Sequence, residues 1–216
     1  MHSIQYISQG STQQEQLSNI EQVLKAGCTW VQLRFKNADE ALFLETAQKA
    51  KQLCDRFQAV FIVNDHVAIA KEVDAHGVHV GLTDTNVREA REILGDDKII
   101  GGTTNTFEDV LQRIEENCDY IGLGPFRFTT TKEKLSPVLG LEGYKAIINR
   151  LKEANKHIVI YAIGGIEEND IQAILDLGIQ GVALSGLLTN TENCETIISK
   201  FSHESVVTDS IIEHKS

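Results

Sequence analysis

Short apolar runs alternate with helix-period segments from one end of the chain to the other. The runs are Ile4–Ser8, Trp30–Phe35, Val60–Asp65, Gly77–Gly81, Lys98–Thr104, Tyr120–Gly124, Ile158–Gly164 and Gly181–Ser185, eight in all. Each has strand length and is bounded by polar or glycine-containing turns. Between them lie helical stripes: Leu17, Ile20 and Leu24; Phe43, Ala47, Ala50 and Cys54; Val110 and Ile114; Ile147 and Leu151; Ile171, Ile174 and Leu175. Ser11 with Gln14, and Thr106 with Asp109, have the spacing of helix N-terminal capping pairs. Gly27, Gly95 and Gly178 stand where helices end.

Strands separated by helices predict a parallel sheet, because parallel neighbours need a crossover between them. Eight repeats predict α/β architecture as a single-domain (β/α)₈ TIM barrel. The barrel is expected over residues 1–204, followed by a polar, frayed tail at 205–216. No linker or low-complexity stretch divides the chain.

Composition narrows the partners. The 216 residues carry 31 acidic against 20 basic side chains, a net charge of −11, which argues against a nucleic-acid surface. No apolar run has the ~20 residues that span a bilayer, and the N-terminus lacks a signal pattern, so a cytoplasmic protein is expected. Cys28, Cys54, Cys118 and Cys194 show no C-x-x-C spacing and are expected as free, buried thiols. The sequence does not give the oligomeric state; a homodimer is only the base rate for soluble enzymes.

The barrel expectation locates the chemistry, because such folds bind ligands on the loops after their strands. In the second run, Val31, Leu33 and Phe35 share the face that packs on helices, while Gln32, Arg34 and Lys36 point toward the barrel axis. Basic groups at that end predict an anion site. Asn64-Asp65 closes the third run and Asp84 follows the fourth. Two carboxylates from neighbouring rims, with phosphate completing the shell, suit Mg²⁺. After the sixth run, Thr129, Thr130, Thr131 and Lys132 form a hydroxyl-rich loop suited to phosphate binding. Gly164-Gly165 and Ser185-Gly186, after runs seven and eight, match the recurrent phosphate cradle of this fold. His79 lies inside the fourth run and reads as a core residue, outside the site.

Taken in order, these segments resemble the thiamine-phosphate synthase family. The matching stretches are QLRFK (Gln32–Lys36), VND (Val63–Asp65), GVHVGLTD (Gly77–Asp84), IIGGTT (Ile99–Thr104), DYIGLGP…TTTK (Asp119–Lys132), AIGGI (Ala162–Ile166) and GVALSG (Gly181–Gly186). The resemblance implies a transferase that joins a hydroxymethylpyrimidine diphosphate to a thiazole phosphate, releasing pyrophosphate. It implies that Gln32, Leu33, Arg34, Phe35, Lys36, Asn64, Thr103 and Lys132 hold the pyrimidine diphosphate. Arg34, Lys36 and Lys132 would act catalytically by neutralising the leaving group, and Asp65 and Asp84 would ligate Mg²⁺. Thr129, Thr130, Thr131, Gly165, Leu184 and Ser185 would surround the thiazole phosphate.

The chain departs from the usual family pattern at four points. Leu82 stands for a glutamine, Thr103 for a serine and Phe128 for a proline. GVALSG is one residue short before its serine, so the phosphate contacts fall at Leu184-Ser185 or at Ser185-Gly186. Two rivals share the barrel: a thiazole tautomerase and a non-catalytic phospho-ligand sensor. The Thr129–Lys132 element, and Asn105 where the tautomerase places a histidine, favour the synthase; the intact Asp65 and Asp84 disfavour the sensor.

Overall fold

The computed structural model describes residues 3–128 and 137–201. Eight parallel strands close into a barrel in the order β1-β2-β3-β4-β5-β6-β7-β8. They are β1 (Ile4–Ile7), β2 (Trp30–Leu33), β3 (Val60–Asn64), β4 (Gly77–Val80), β5 (Ile99–Thr104), β6 (Tyr120–Leu123), β7 (Val159–Ile163) and β8 (Gly181–Leu184). β1 pairs with β8 through Ile4↔Val182 and Tyr6↔Leu184, which removes any open edge. A strand in a closed, helix-covered barrel is buried on both faces, hence the near-continuous apolar runs rather than strict alternation.

The connecting helices are α1 (Gln13–Lys25), α2 (Glu40–Arg56), α3 (Val67–Glu72), α4 (Val87–Leu94), α5 (Phe107–Glu115), α6 (Gly140–Glu153) and α7 (Glu168–Leu175). Two more, α8 (Gly186–Thr189) and α9 (Cys194–Phe201), follow β8. The stripes that the sequence predicted face the barrel: Ile20 and Leu24, Phe43, Ala47 and Ala50, Val110, and Ile171 with Ile174 are all buried. The helix α5 starts at Thr106 with the expected capping box to Asp109. In α1 the box shifts by one residue, to Thr12 and Glu15 instead of Ser11 and Gln14. The Glu15 carboxylate accepts from the backbone N–H of both Ser11 (2.6 Å) and Thr12 (3.3 Å), and a charged acceptor makes the stronger cap.

Two cores result. Val31, Leu33 and Phe35 join the layer between strands and helices, as their strand parity predicts. Inside the barrel, Ile7, Trp30, Ile62, Tyr120, Tyr161 and Ala183 form a second cluster. The Trp30 ring lies 5.3 Å from both Tyr120 and Tyr161, centroid to centroid. Trp30 and Tyr120 begin their strands, so this aromatic group lies toward the N-terminal end of the barrel. All four cysteines are buried free thiols. No helix among the described residues is long and apolar enough to cross a membrane. The expected tail at 205–216 lies outside the described residues.

Candidate active site at the strand ends

The β2 strand stops at Leu33, where its last pairing to Val63 is made. Arg34 therefore leaves the sheet, and its backbone is held by other elements. The Ser8 hydroxyl, just past β1, accepts from Arg34 N at 2.9 Å, and Gln16 Nε2 of α1 donates to Arg34 O at 3.2 Å. Gln16 is buried on the apolar stripe of α1, four residues before Ile20. A glutamine inside such a stripe was the available signal for this role. Burial pushes the Arg34 guanidinium pKa down, while the negative charge of Asp65 opposes that shift. Lys36 is exposed, and Leu33 and Phe35 are buried in the outer core, so their side chains do not face the rim.

Asn64 ends β3, and Asp65 follows with a φ of 65°. Asp65 N donates to His79 O of the neighbouring strand at 2.9 Å. The Asn64 amide donates to Asp65 Oδ1 (2.5 Å) and to His79 O (3.2 Å), so the pair is clamped onto β4. Asp84, in the loop after β4, accepts from Gly81 N at 2.9 Å. A Cβ on Gly81 would come within 2.2 Å of that carboxylate, so the close approach depends on glycine.

Asp65 and Asp84 meet. Burial, then the adjacent Asp84 charge and a hydrogen bond to it, push the Asp65 carboxyl up to about 6; Arg34 and Lys36 pull the other way. A second carboxylate that raises the cost of ionising Asp65 makes the two acids a donor set suited to a cation. The hard-oxygen pair fits Mg²⁺, which takes one or two carboxylates and completes its shell with phosphate and water. Among the described residues no cluster of three or more His, Cys, Asp or Glu could hold a metal.

Across the rim, a cavity of about 270 Å³ is lined by Ile7, Arg34, Gly164, Gly165, Leu184, Ser185 and Gly186, among others. Leu184, Ser185 and Gly186 all border it, so both expected alignments of the last motif face the same space. Gly164 and Gly165 have φ of 97° and 66°. The β6 loop packs directly on this turn: Phe126 N donates to Ile163 O (2.8 Å) and Arg127 N to Gly164 O (2.9 Å). The Arg127 guanidinium grips Asp170 at 2.9 and 3.1 Å and donates to Gly165 O at 2.6 Å. Asp170 also accepts from Glu167 N at 2.8 Å, tying the turn to the start of α7.

Asp170→Ala should therefore loosen the glycine turn. Its expected result is a KM raised about tenfold for whichever ligand occupies this cavity, in steady-state kinetics. The lost cap, ~1 kcal/mol, should lower the melting midpoint by about 2–4 °C.

Thr103 projects from β5, partly buried, and its hydroxyl lies 3.1 Å from His79 Nε2. The sequence reading left His79 among core residues; it is buried, yet it touches a predicted ligand contact. Thr129, Thr130, Thr131 and Lys132 lie outside the described residues. Leu82 and Phe128, two of the family departures, are exposed at 42% and 62%, so neither is required for core packing.

A closed parallel barrel with a basic group, paired acids and a glycine cradle on one rim defines a (β/α)₈-barrel enzyme acting on phosphorylated ligands. A family model described as thiamine monophosphate synthase matches residues 5–188, and the chain belongs to that family. The thiamine-phosphate synthase of Flavobacterium psychrophilum is 54% identical over 92% of this chain and 97% of its own length. That of Bacteroides thetaiotaomicron is 46% identical over 89% of this chain and 92% of its own. The structure of thiamine phosphate pyrophosphorylase from Pyrococcus furiosus aligns with a TM-score of 0.79 and 27% identity, covering 93% of this chain and 97% of that one.

Proposed function

We infer that the chain is a thiamine-phosphate synthase, a transferase coupling 4-amino-2-methyl-5-(diphosphooxymethyl)pyrimidine to 4-methyl-5-(2-phosphoethyl)thiazole or its carboxylated form. Membership of the family and 54% identity over nearly the whole chain carry this reading. The catalytic domain is residues 1–204, and the enzyme works in the cytoplasm.

The C–O bond to the diphosphate breaks first, and pyrophosphate leaves with the electron pair. The electron-rich aminopyrimidine stabilises the resulting methylene cation. The thiazole nitrogen then attacks that carbon, forming the C–N bond of thiamine phosphate. Negative charge grows on the leaving group, so fixed cations there lower the barrier. Arg34, Lys36 and Lys132 take this role, with Gln32, Asn64 and Thr103 holding the rest of the pyrimidine diphosphate. Asp65 and Asp84 would hold Mg²⁺, which supplies further charge neutralisation to the diphosphate when bound. Thr129–Thr131, Gly165 and Leu184–Gly186 hold the thiazole phosphate, so the second step is largely one of proximity. No protein nucleophile is needed.

Arg34 refines the division of the rim into two halves. It borders the glycine-lined cavity and acts electrostatically on Asp65, so one guanidinium stands between the two phosphorylated groups. The test is direct: purified protein with Mg²⁺ and both substrates should release pyrophosphate and form thiamine phosphate in a coupled assay. No product at saturating substrates would overturn the reading.

A further inference from the structure

A chain of polar side chains crosses the barrel interior beside the aromatic group of Trp30. Gln32 Nε2 donates to Gln5 Oε1 at 3.3 Å, and Gln5 Nε2 donates to the Tyr120 hydroxyl at 3.1 Å. Tyr120 OH lies 3.2 Å from His79 Nδ1, and His79 Nε2 lies 3.1 Å from Thr103 Oγ1. The chain starts and ends on residues assigned above to the pyrimidine diphosphate, while Gln5, Tyr120 and His79 have no role in that reading.

One tautomer of His79 gives this chain a single direction. The Tyr120 oxygen accepts from Gln5, and its own proton can then be given to His79 Nδ1. His79 Nδ1 then has no proton of its own, and the neutral ring carries it on Nε2. That N–H donates to Thr103 Oγ1, leaving the threonine O–H to donate onward. At the other end, Gln32 gives one amide N–H to Gln5, and its carbonyl oxygen is an acceptor.

The strands make room for these rings. His79 pairs in register with Gly101, and Gly101 with Tyr120. A Cβ on Gly101 would come 2.2 Å from Tyr120 Cζ and 2.6 Å from His79 Nδ1; one on Gly122 would come 3.2 Å from His79 Cε1. Glycine weakens a strand interior, so two of them beside His79 mark a place where space for the network outweighs strand propensity.

We propose that Tyr120 and His79 are positioning residues that set a donor at Thr103 and an acceptor at Gln32 for the pyrimidine substrate. The polarity matches that ligand: its exocyclic amino group is the donor for Gln32, and its diphosphate oxygens and ring nitrogens are acceptors for Thr103. The ligand assignment rests on the function proposed above; the polarity of the chain does not.

Two measurements separate them. In wild-type protein with ¹⁵N-labelled histidine rings, long-range ¹H–¹⁵N spectra at neutral pH should show His79 as the Nε2–H tautomer, assigned by its absence in His79→Gln. An Nδ1–H tautomer or an imidazolium would overturn the polarity, whatever the enzyme's activity. In kinetics, Tyr120→Phe keeps the ring and removes the hydroxyl. It should lower kcat/KM for the pyrimidine diphosphate about tenfold, with KM for the thiazole phosphate within twofold of wild type. His79→Gln, whose amide can still donate to Thr103, should retain more activity than His79→Leu. Wild-type pyrimidine kinetics in Tyr120→Phe, or equal loss in the two His79 variants, would overturn the positioning role. An inactive wild-type protein with the Nε2–H tautomer would sink the ligand reading and leave the polarity standing.

Discussion

Asp65→Asn protein is expected to fold and to lose thiamine phosphate formation by about 10²–10³-fold, the cost of removing one well-placed electrostatic group from a leaving-group site. Asparagine is the informative replacement because residue 65 has a φ of 65°. Asn adopts that left-handed conformation readily, whereas Ala would add backbone strain to the loss of charge. The substitution also keeps an oxygen facing the Asn64 amide. Steady-state turnover titrated with Mg²⁺ checks it: the variant should need a much higher concentration to reach half of its residual rate. An unchanged metal titration would remove Asp65, and with it Asp84, from the metal site.

The same carboxyl predicts a stability effect of opposite sign in metal-free protein. Burial and Asp84 raise its pKa to about 6 from the ordinary 3.8, so the folded state holds that proton more tightly than the unfolded chain. Below about pH 4 both states are protonated and the group costs nothing; as pH rises through about 6, the folded state pays for ionising it. In EDTA, Asp65→Asn should therefore melt above wild type at neutral pH, and the difference should close below about pH 4. Mg²⁺ should reverse the order by stabilising only the wild type.

The second large effect is expected at Arg34. Replacing it with Lys retains the charge and loses the planar fork, and replacing it with Met loses both. Because Arg34 borders the cavity proposed for the thiazole phosphate and also acts on Asp65, Arg34→Met should raise KM for both substrates and lower kcat, about 10²–10³-fold in kcat/KM for the diphosphate. Arg34→Lys should recover part of kcat and little of the two-sided binding. A KM effect confined to one substrate would place Arg34 in one half of the rim. Viewed from its backbone, the same residue predicts why it is well placed: Ser8 and Gln16 hold it from two different elements.

The sequence was most informative where one local rule applied. Alternating strand and helix signals fix a parallel sheet, and all eight runs became strands because burial on both barrel faces demands continuous apolar stretches. Run ends were less legible: Trp30–Phe35 became a strand only to Leu33, since strand ends depend on where the neighbouring strand stops pairing. At α1, Ser11 and Thr12 offered equal hydroxyls, and Thr12 became the cap because its hydroxyl accepts from Glu15 N at 3.2 Å.

The sequence by itself determined the barrel, the parity that turns Gln32 inward and Val31 outward, and the positions of the rim residues after each strand. Those follow from strand period and chain order, which are local. Only the tertiary structure decided that Asp65 and Asp84 face each other, that Arg34 borders both halves of the rim, and that Arg127 reaches Asp170. It also moved His79 from the anonymous core to a contact with Thr103. Each of these joins residues on different strands or loops, and such encounters are set by barrel closure and register, which no single segment carries.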